Sequence, residues 1–174
     1  NDGAESYASN EACAKIVQSL PIMTNVSVTA TDVTAGTIYV AWSKPKEIDS
    51  IQTQGPFEYR LLRGQGFAPS SFTTVSTFNN LDDTTFVDMA LNTADNAWTY
   101  KVEFHNLTPG NVFKIGESLA ASSVYLTTTP TDNAIQLSWQ ATVPWANNAT
   151  VVYRKNAGGT YAVIDTVSGN TYND

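Results

Sequence analysis

Gly36-Thr37-Ile38-Tyr39-Val40-Ala41-Trp42-Ser43-Lys44-Pro45 is the stretch that decides the fold. Ile38, Val40 and Trp42 alternate with Tyr39, Ala41 and Ser43. A period of two puts one side of a strand in a core and the other toward water. Gly36 and Pro45 bound the stretch, because neither residue type suits a strand interior. The pattern returns at Asn133-Ala134-Ile135-Gln136-Leu137-Ser138-Trp139-Gln140, with Ile135, Leu137 and Trp139 on the apolar side. A module built on an inward tryptophan is thus present twice, and Trp42 and Trp139 are the expected core anchors.

The matches continue outward in step. Tyr59-Arg60-Leu61-Leu62-Arg63 corresponds to Thr150-Val151-Val152-Tyr153-Arg154, and Phe72-Thr73-Thr74-Val75-Ser76-Thr77 to Tyr161-Ala162-Val163-Ile164-Asp165-Thr166. Thr85-Phe86-Val87-Asp88 corresponds to Thr171-Tyr172-Asn173-Asp174, and Asn25-Val26-Ser27-Val28-Thr29 to Ser123-Val124-Tyr125-Leu126-Thr127. A period of about 100 residues is too long for a solenoid repeat and fits a whole small β domain. The expected fold class is therefore all-β, with tandem immunoglobulin-like β-sandwiches. The first copy continues through Trp98-Thr99-Tyr100-Lys101-Val102-Glu103-Phe104, which makes Trp98 and Tyr100 further core anchors. The second copy stops at Asp174, the equivalent of Asp88. It is expected to be truncated before its last two strands, in a sequence that is a fragment of something longer.

Three regions follow. Residues 1–20 form a lead-in, in which 11–18 has helical spacing, Ser9 or Asn10 can cap it and Pro21 ends it. Residues 21–121 are the first sandwich, with strands expected near 22–32, 36–45, 57–63, 72–78, 84–88, 97–105 and 113–120. Turns fall at Gly64-Gln65-Gly66 and 106–110. Residues 122–174 are the second sandwich. Ala120-Ala121-Ser122 is read as a linker too short for a flexible tether, so the modules should stack semi-rigidly.

Of 174 residues, 42% are hydrophobic and 14% charged, a globular and lightly charged composition. The net charge of -7 argues against nucleic acid, whose affinity rests on Lys and Arg, and against an anionic membrane surface. No apolar run reaches the roughly 20 residues of a membrane span. A chain that starts at Asn1 with no leader is expected of a processed secreted protein, or of a piece of one. Cys13 is the single cysteine and cannot close an intrachain disulfide. It is expected to be a small buried side chain or to pair outside the fragment. A catalytic thiol needs a histidine beside it, and His105 is far along the chain.

The loops carry little chemistry. Asp82, Asp83, Asp88 and Asp95 cluster in sequence, but a calcium site needs about six to eight converging oxygens, and no Asp-x-Asp-x-Asp-Gly loop is present. A solvated acidic face is the expectation. Paired carboxylates for glycoside cleavage need a deep groove, which short-looped sandwiches seldom have. Neither a Gly-rich phosphate loop nor a Gly-x-Ser-x-Gly elbow is present, and a single His makes no zinc site. No enzyme activity, cofactor or metal is expected. Pro144-Trp145 lies outside the strand pattern. Trp145 either caps a sandwich or packs on the neighbouring module, or stacks on a sugar ring as a ligand contact. Asn25-Val26-Ser27, Asn106-Leu107-Thr108 and Asn148-Ala149-Thr150 match the N-glycosylation tripeptide.

A Trp on the second strand, a Tyr-bearing sixth strand and the long repeat resemble the fibronectin type III fold over residues 21–174. In that family a Leu precedes a sixth-strand Tyr to form a tyrosine corner. Leu91 and Trp98 fill those places, with Trp for Tyr and a spacing off by about one residue. A narrower set comprises Glu47-Ile48-Asp49, Gly55-Pro56-Phe57-Glu58-Tyr59-Arg60-Leu61-Leu62-Arg63 and Asp83-Thr84-Thr85-Phe86-Val87-Asp88. Leu91-Asn92-Thr93, Ala121-Ser122-Ser123-Val124-Tyr125-Leu126 and Val143-Pro144-Trp145 complete it. This set is similar to one in large secreted Bacteroidetes proteins that end in a gliding-motility-associated C-terminal sorting domain read by the type IX secretion system. Asp49-Ser50-Ile51, Asp83-Thr84-Thr85 and Asp165-Thr166-Val167 resemble the O-glycosylation tripeptide of such proteins.

The resemblance implies a secreted, cell-surface location and a non-catalytic spacer role in an adhesin or gliding-associated protein. The partners it implies are neighbouring domains of one long polypeptide, secretion-machinery or surface proteins, and glycans. The alternative is a carbohydrate-binding module using Trp145, or an accessory domain of a secreted hydrolase.

Overall fold

A computed structural model of the chain describes residues 20–48 and 54–174. The helical turn expected over 11–18, Cys13 and the Asp49-Ser50-Ile51 tripeptide fall outside those residues. Every regular element among the described residues is a β-strand. The first module holds β1 (Ile22–Ala30), β2 (Gly36–Ser43), β3 (Phe57–Gln65), β4 (Thr73–Phe78), β5 (Thr85–Leu91), β6 (Trp98–Thr108), β7 (Asn111–Glu117) and β8 (Ala121–Ser122). One sheet runs β1-β2-β5; the other runs β4-β3-β6-β7, with β8 also on β6. All pairs are antiparallel.

The alternation read from the sequence sets the two inner faces. Ile38, Val40 and Trp42 on β2 meet Tyr59 and Leu61 on β3 and Tyr100, Val102 and Phe104 on β6, none more than 3% exposed. The ring of Trp42 sits edge-on to Tyr59 at 5.8 Å and tilts against Phe78 at 5.3 Å, geometries that suit the aromatic quadrupole. Two antiparallel sheets closing on one apolar layer make an immunoglobulin-like sandwich.

The sixth strand is longer than its apolar pattern suggested. β6 runs to Thr108, and the chain reverses at Pro109-Gly110, where Gly110 takes a φ of 80°, as a turn of this kind requires of glycine. Asn106 stays in the strand because its buried side chain is fully used. Its Oδ1 accepts from the Gly55 amide at 3.2 Å and the Thr108 hydroxyl at 2.9 Å, and its Nδ2 donates to the Asn111 carbonyl at 2.9 Å. The Asn106-Leu107-Thr108 tripeptide is thus a brace between strands, with no exposed amide to modify.

The second module holds β9 (Tyr125–Thr131), β10 (Ala134–Gln140), β11 (Thr150–Lys155), β12 (Tyr161–Val167) and β13 (Thr171–Asn173). β13-β10-β9 form one sheet and β11-β12 the other. The register repeats that of the first module. Trp42 donates its amide to the Thr84 carbonyl at 3.0 Å, as Trp139 does to Asn170 at 2.9 Å. Val40 faces Phe86 as Leu137 faces Tyr172. Leu61 faces Ser76 as Val152 faces Asp165, each followed by a bulge in the same place. The described residues hold no counterpart of β6 or β7 in this module.

Two expectations change. The first-strand match is displaced: Met23 faces Trp42 and Leu126 faces Trp139, so Leu126 is the counterpart of Met23 rather than of Val28. The displacement arises because Ala121 and Ser122, read as a linker, form β8 and pair with Tyr100 and Thr99 of the first module. Trp139 is also less enclosed than an anchor should be. It is half-buried where Trp42 is 3% exposed, because only β9, β10, β11 and β13 surround it.

Candidate functional site

The acidic residues grouped by sequence part company in space. Asp82 binds Lys44 at 2.7 Å in water, and Asp95 accepts from Asn92 at 2.9 Å. Asp88 points inward from β5 and is 6% exposed. It receives the Arg63 guanidinium at 2.8 Å and the Tyr100 hydroxyl at 3.0 Å. Among the described residues no three His, Cys, Asp or Glu side chains come together to hold a metal ion. Arg63 and Tyr100 are register partners on β3 and β6, so the carboxylate ties one sheet to the other. Burial, then the Asp88 charge, pushes the Tyr100 hydroxyl well above its usual range and keeps it a donor.

Trp98 closes this end of the sandwich. Its Nε1 donates to the Asn92 carbonyl at 2.9 Å, six residues back, which is the hydrogen bond of a tyrosine corner made by an indole. Its ring lies 4.9 Å from the Arg63 guanidinium carbon, within range for a cation–π contact. This network escaped the sequence reading. The signal was present: Arg63 and Asp88 stand at inward parity, and both recur, as Arg154 and Asp174.

Trp145 goes to the joint between modules. It is half-buried and packs, with Val143, against the core of the first sandwich. The joint is hydrogen-bonded from both sides. The Ser122 amide donates to the Thr142 carbonyl at 2.7 Å, and the Ser122 hydroxyl accepts from the Thr142 amide at 2.8 Å. The Ser123 amide donates to the Trp98 carbonyl at 2.8 Å, and its hydroxyl accepts from the Trp98 amide at 3.1 Å. Ser122 and Ser123 are almost wholly buried. Buried hydroxyls satisfied in this way fix one geometry.

The second module presents its interior. A groove of about 180 Å³ lies between its sheets, lined by Val124, Leu126, Leu137, Trp139 and Val152 among others. Arg154 reaches Asp174 across the two sheets, its Nε at 3.1 Å from Oδ2, with a second bond from Nη2 to Oδ1. This pair is the Arg63–Asp88 pair again, without a Tyr100 beside it.

On the outer face of β6 and β7, Lys114 joins Glu103 at 3.2 Å and Glu117 at 3.1 Å, Lys101 joins Glu117 at 2.9 Å, and His105 Nε2 lies 2.9 Å from Glu103. Burial alone would raise the Glu103 carboxyl, but hydrogen bonds from His105 and Lys114 outweigh it and hold the group below the usual range. The hydrogen bond from Lys101 lowers Glu117, and hydrogen bonds to Glu117 and Glu103 raise Lys114. Depressed carboxyls stabilise the fold above the ordinary glutamate range, and that contribution is lost as pH falls through their folded values. The raised lysine contributes fully below its ordinary value and loses that contribution as pH rises through its higher folded value. Stability should therefore fall on acidification below about pH 4.5, by on the order of 1 kcal/mol for this partly exposed cluster. Denaturant titrations at pH 7 and pH 3.5 check this, and Glu103→Gln should flatten the difference.

No family model matches the chain, and no curated protein is significantly similar to it.

Proposed function

We propose that the chain is a non-catalytic structural element, a stacked pair of fibronectin type III-like modules from a large secreted cell-surface protein of adhesive or gliding-associated kind. The observation that carries this reading is the joint. β8, paired with β6 of the first module, runs straight into the second module, with paired serines and an aromatic side chain wedged on the neighbouring core. Such a joint fixes the angle between modules and transmits force along the chain, which is what a spacer needs. A sandwich serves many functions, so the role rests on the joint and on the sequence resemblance rather than on the fold. Export through the type IX system and display at the cell surface follow from that resemblance alone.

The test is ¹⁵N relaxation on the intact chain and on Trp145→Ala. The two modules should tumble with one correlation time in the parent, and with two in the variant, while the first module keeps its melting temperature within about 2 °C. Independent tumbling of the parent's modules would overturn the spacer reading. The competing reading, a sugar-binding module, would instead give saturable, sugar-specific binding on a glycan array that disappears in Trp145→Ala. The wedged position of Trp145 argues against that outcome.

A further inference from the structure

Charge is segregated between the two sheets of each module. On the first module's β4-β3-β6-β7 sheet, Lys101, Glu103, Lys114 and Glu117 occupy the outer face and pair with one another. In the second module β11 and β12 carry Arg154, Lys155 and Asp165. The opposite sheets are different. β1, β2, β9, β10 and β13 contain no Asp, Glu, Lys or Arg. The one charged residue of β5, Asp88, is buried on the inner side. A chain of net charge -7 thus presents an uncharged outer face on each of its two modules.

Hydroxyls and amides stand there in cross-strand rows. On the first module one row runs Ser27, Tyr39, Val87 and the next Asn25, Ala41, Thr85. On the second, one row runs Thr127, Ser138, Thr171 and the next Thr129, Gln136, Asn173. Successive rows lie about 6–7 Å apart along the strands. The side chains of Tyr39, Thr85, Gln136, Ser138 and Asn173 hydrogen-bond to nothing among the described residues. They differ in this from the charged groups of the opposite sheet, which satisfy one another. Each face also holds a half-buried tyrosine, Tyr39 on β2 and Tyr125 on β9.

We propose that these two outer faces, of the β1-β2-β5 and β13-β10-β9 sheets, bind an uncharged polysaccharide. Hydroxyl and amide side chains both donate and accept hydrogen bonds, as sugar hydroxyls do. The tyrosine supplies an apolar ring with a polar tip, which suits the mixed surface of a sugar. An anionic polymer finds no cation on either face. A protein partner of the usual kind needs a contiguous apolar centre, and here polar side chains interrupt every row. The repetition of the rows calls for a partner that is itself repetitive. The surface lies apart from Trp145, and the inference does not depend on the spacer reading.

The experiment is affinity electrophoresis of the intact chain in gels containing a soluble neutral glucan, xylan or mannan, with a polyuronate gel as the charged control. At least one neutral polymer should retard the chain relative to a polymer-free gel, and the polyuronate should not. Tyr39→Ala and Gln136→Ala should each weaken binding by about 3–10-fold, the effect of losing one or two hydrogen bonds or a ring contact. Lys155→Ala, on the opposite sheet, and Trp145→Ala should still bind as the parent does. Melting within about 2 °C of the parent shows that a variant is folded. If Tyr39→Ala melts lower, Thr85→Lys places a charge on the same face from an exposed position and should weaken binding as much. The proposal is overturned if no neutral polymer retards the chain, if polyuronate retards it equally, or if the folded face variants bind like the parent. Binding that Trp145→Ala abolishes and the face variants leave intact would place the sugar at the joint and overturn it as well.

Discussion

Trp42→Ala is expected to lower the unfolding free energy of the first sandwich by about 3–5 kcal/mol, the usual cost of truncating a large aromatic in a packed core. The indole is 3% exposed and touches Tyr59 and Phe78 from the opposite sheet, so nothing nearby can collapse into its place without moving a strand. Domains hold only about 5–15 kcal/mol in all, and for a module of this size each kcal/mol shifts melting by about 4–8 °C. The variant should therefore melt more than about 10 °C below the parent.

Two controls separate packing from chemistry. Trp42→Phe should cost clearly less. The Trp42 Nε1 is buried with no hydrogen-bond partner among the described residues, and phenylalanine removes that unsatisfied donor along with part of the volume. Trp139→Ala should cost about 1–2 kcal/mol, because that indole already faces an open groove and leaves a smaller cavity. Differential scanning calorimetry reads all three. A Trp42→Ala melt within a degree or two of the parent would mean that β2 is not the centre of the core.

The strands of the first sandwich were legible because their inner faces alternate cleanly on β2, β3 and β6. The duplication was legible because Trp42 and Trp139, Arg63 and Arg154, and Asp88 and Asp174 hold the same places. What the pattern could not show follows from physics that hydrophobic periodicity does not encode. Ala120, Ala121 and Ser122 read as a linker because small residues usually lie in loops, yet Ser122 exchanges hydrogen bonds with Thr142, and Ser123 beside it with Trp98, in buried positions. Asn106 read as a turn for the same reason, and its side chain proved to bridge three segments. Asp88 was grouped with surface acids by sequence proximity, although its parity on β5 points it inward. The first-strand alignment slipped because Ala121 and Ser122 belong to the first module, so the second module's first strand starts later than the match assumed. Trp145 was left open between the joint and a ligand surface, because a loop aromatic has no periodicity to place it.

Arg63→Ala should destabilise the first sandwich by about 3–5 kcal/mol, because it leaves the Asp88 carboxylate charged and enclosed with only the Tyr100 hydroxyl to satisfy it. The matching change in the second module is the informative contrast. Arg154 makes the same pair with Asp174, but its side chain is 59% exposed where Arg63 is 26% exposed. Water screens that pair and solvates whichever partner remains, so Arg154→Ala should cost less than about 1 kcal/mol. Replacing both members in the core, as Arg63→Met with Asp88→Leu, removes the buried charges together and should recover most of the loss. The remainder, about 1 kcal/mol, is the Tyr100 hydroxyl left without its acceptor. Denaturant unfolding of the variants, followed by amide signals specific to each module, gives the comparison directly. Equal losses for Arg63→Ala and Arg154→Ala would mean that enclosure by β6 contributes nothing to the pair. A double variant no better than Arg63→Ala alone would mean that Asp88 is not held by charge pairing at all.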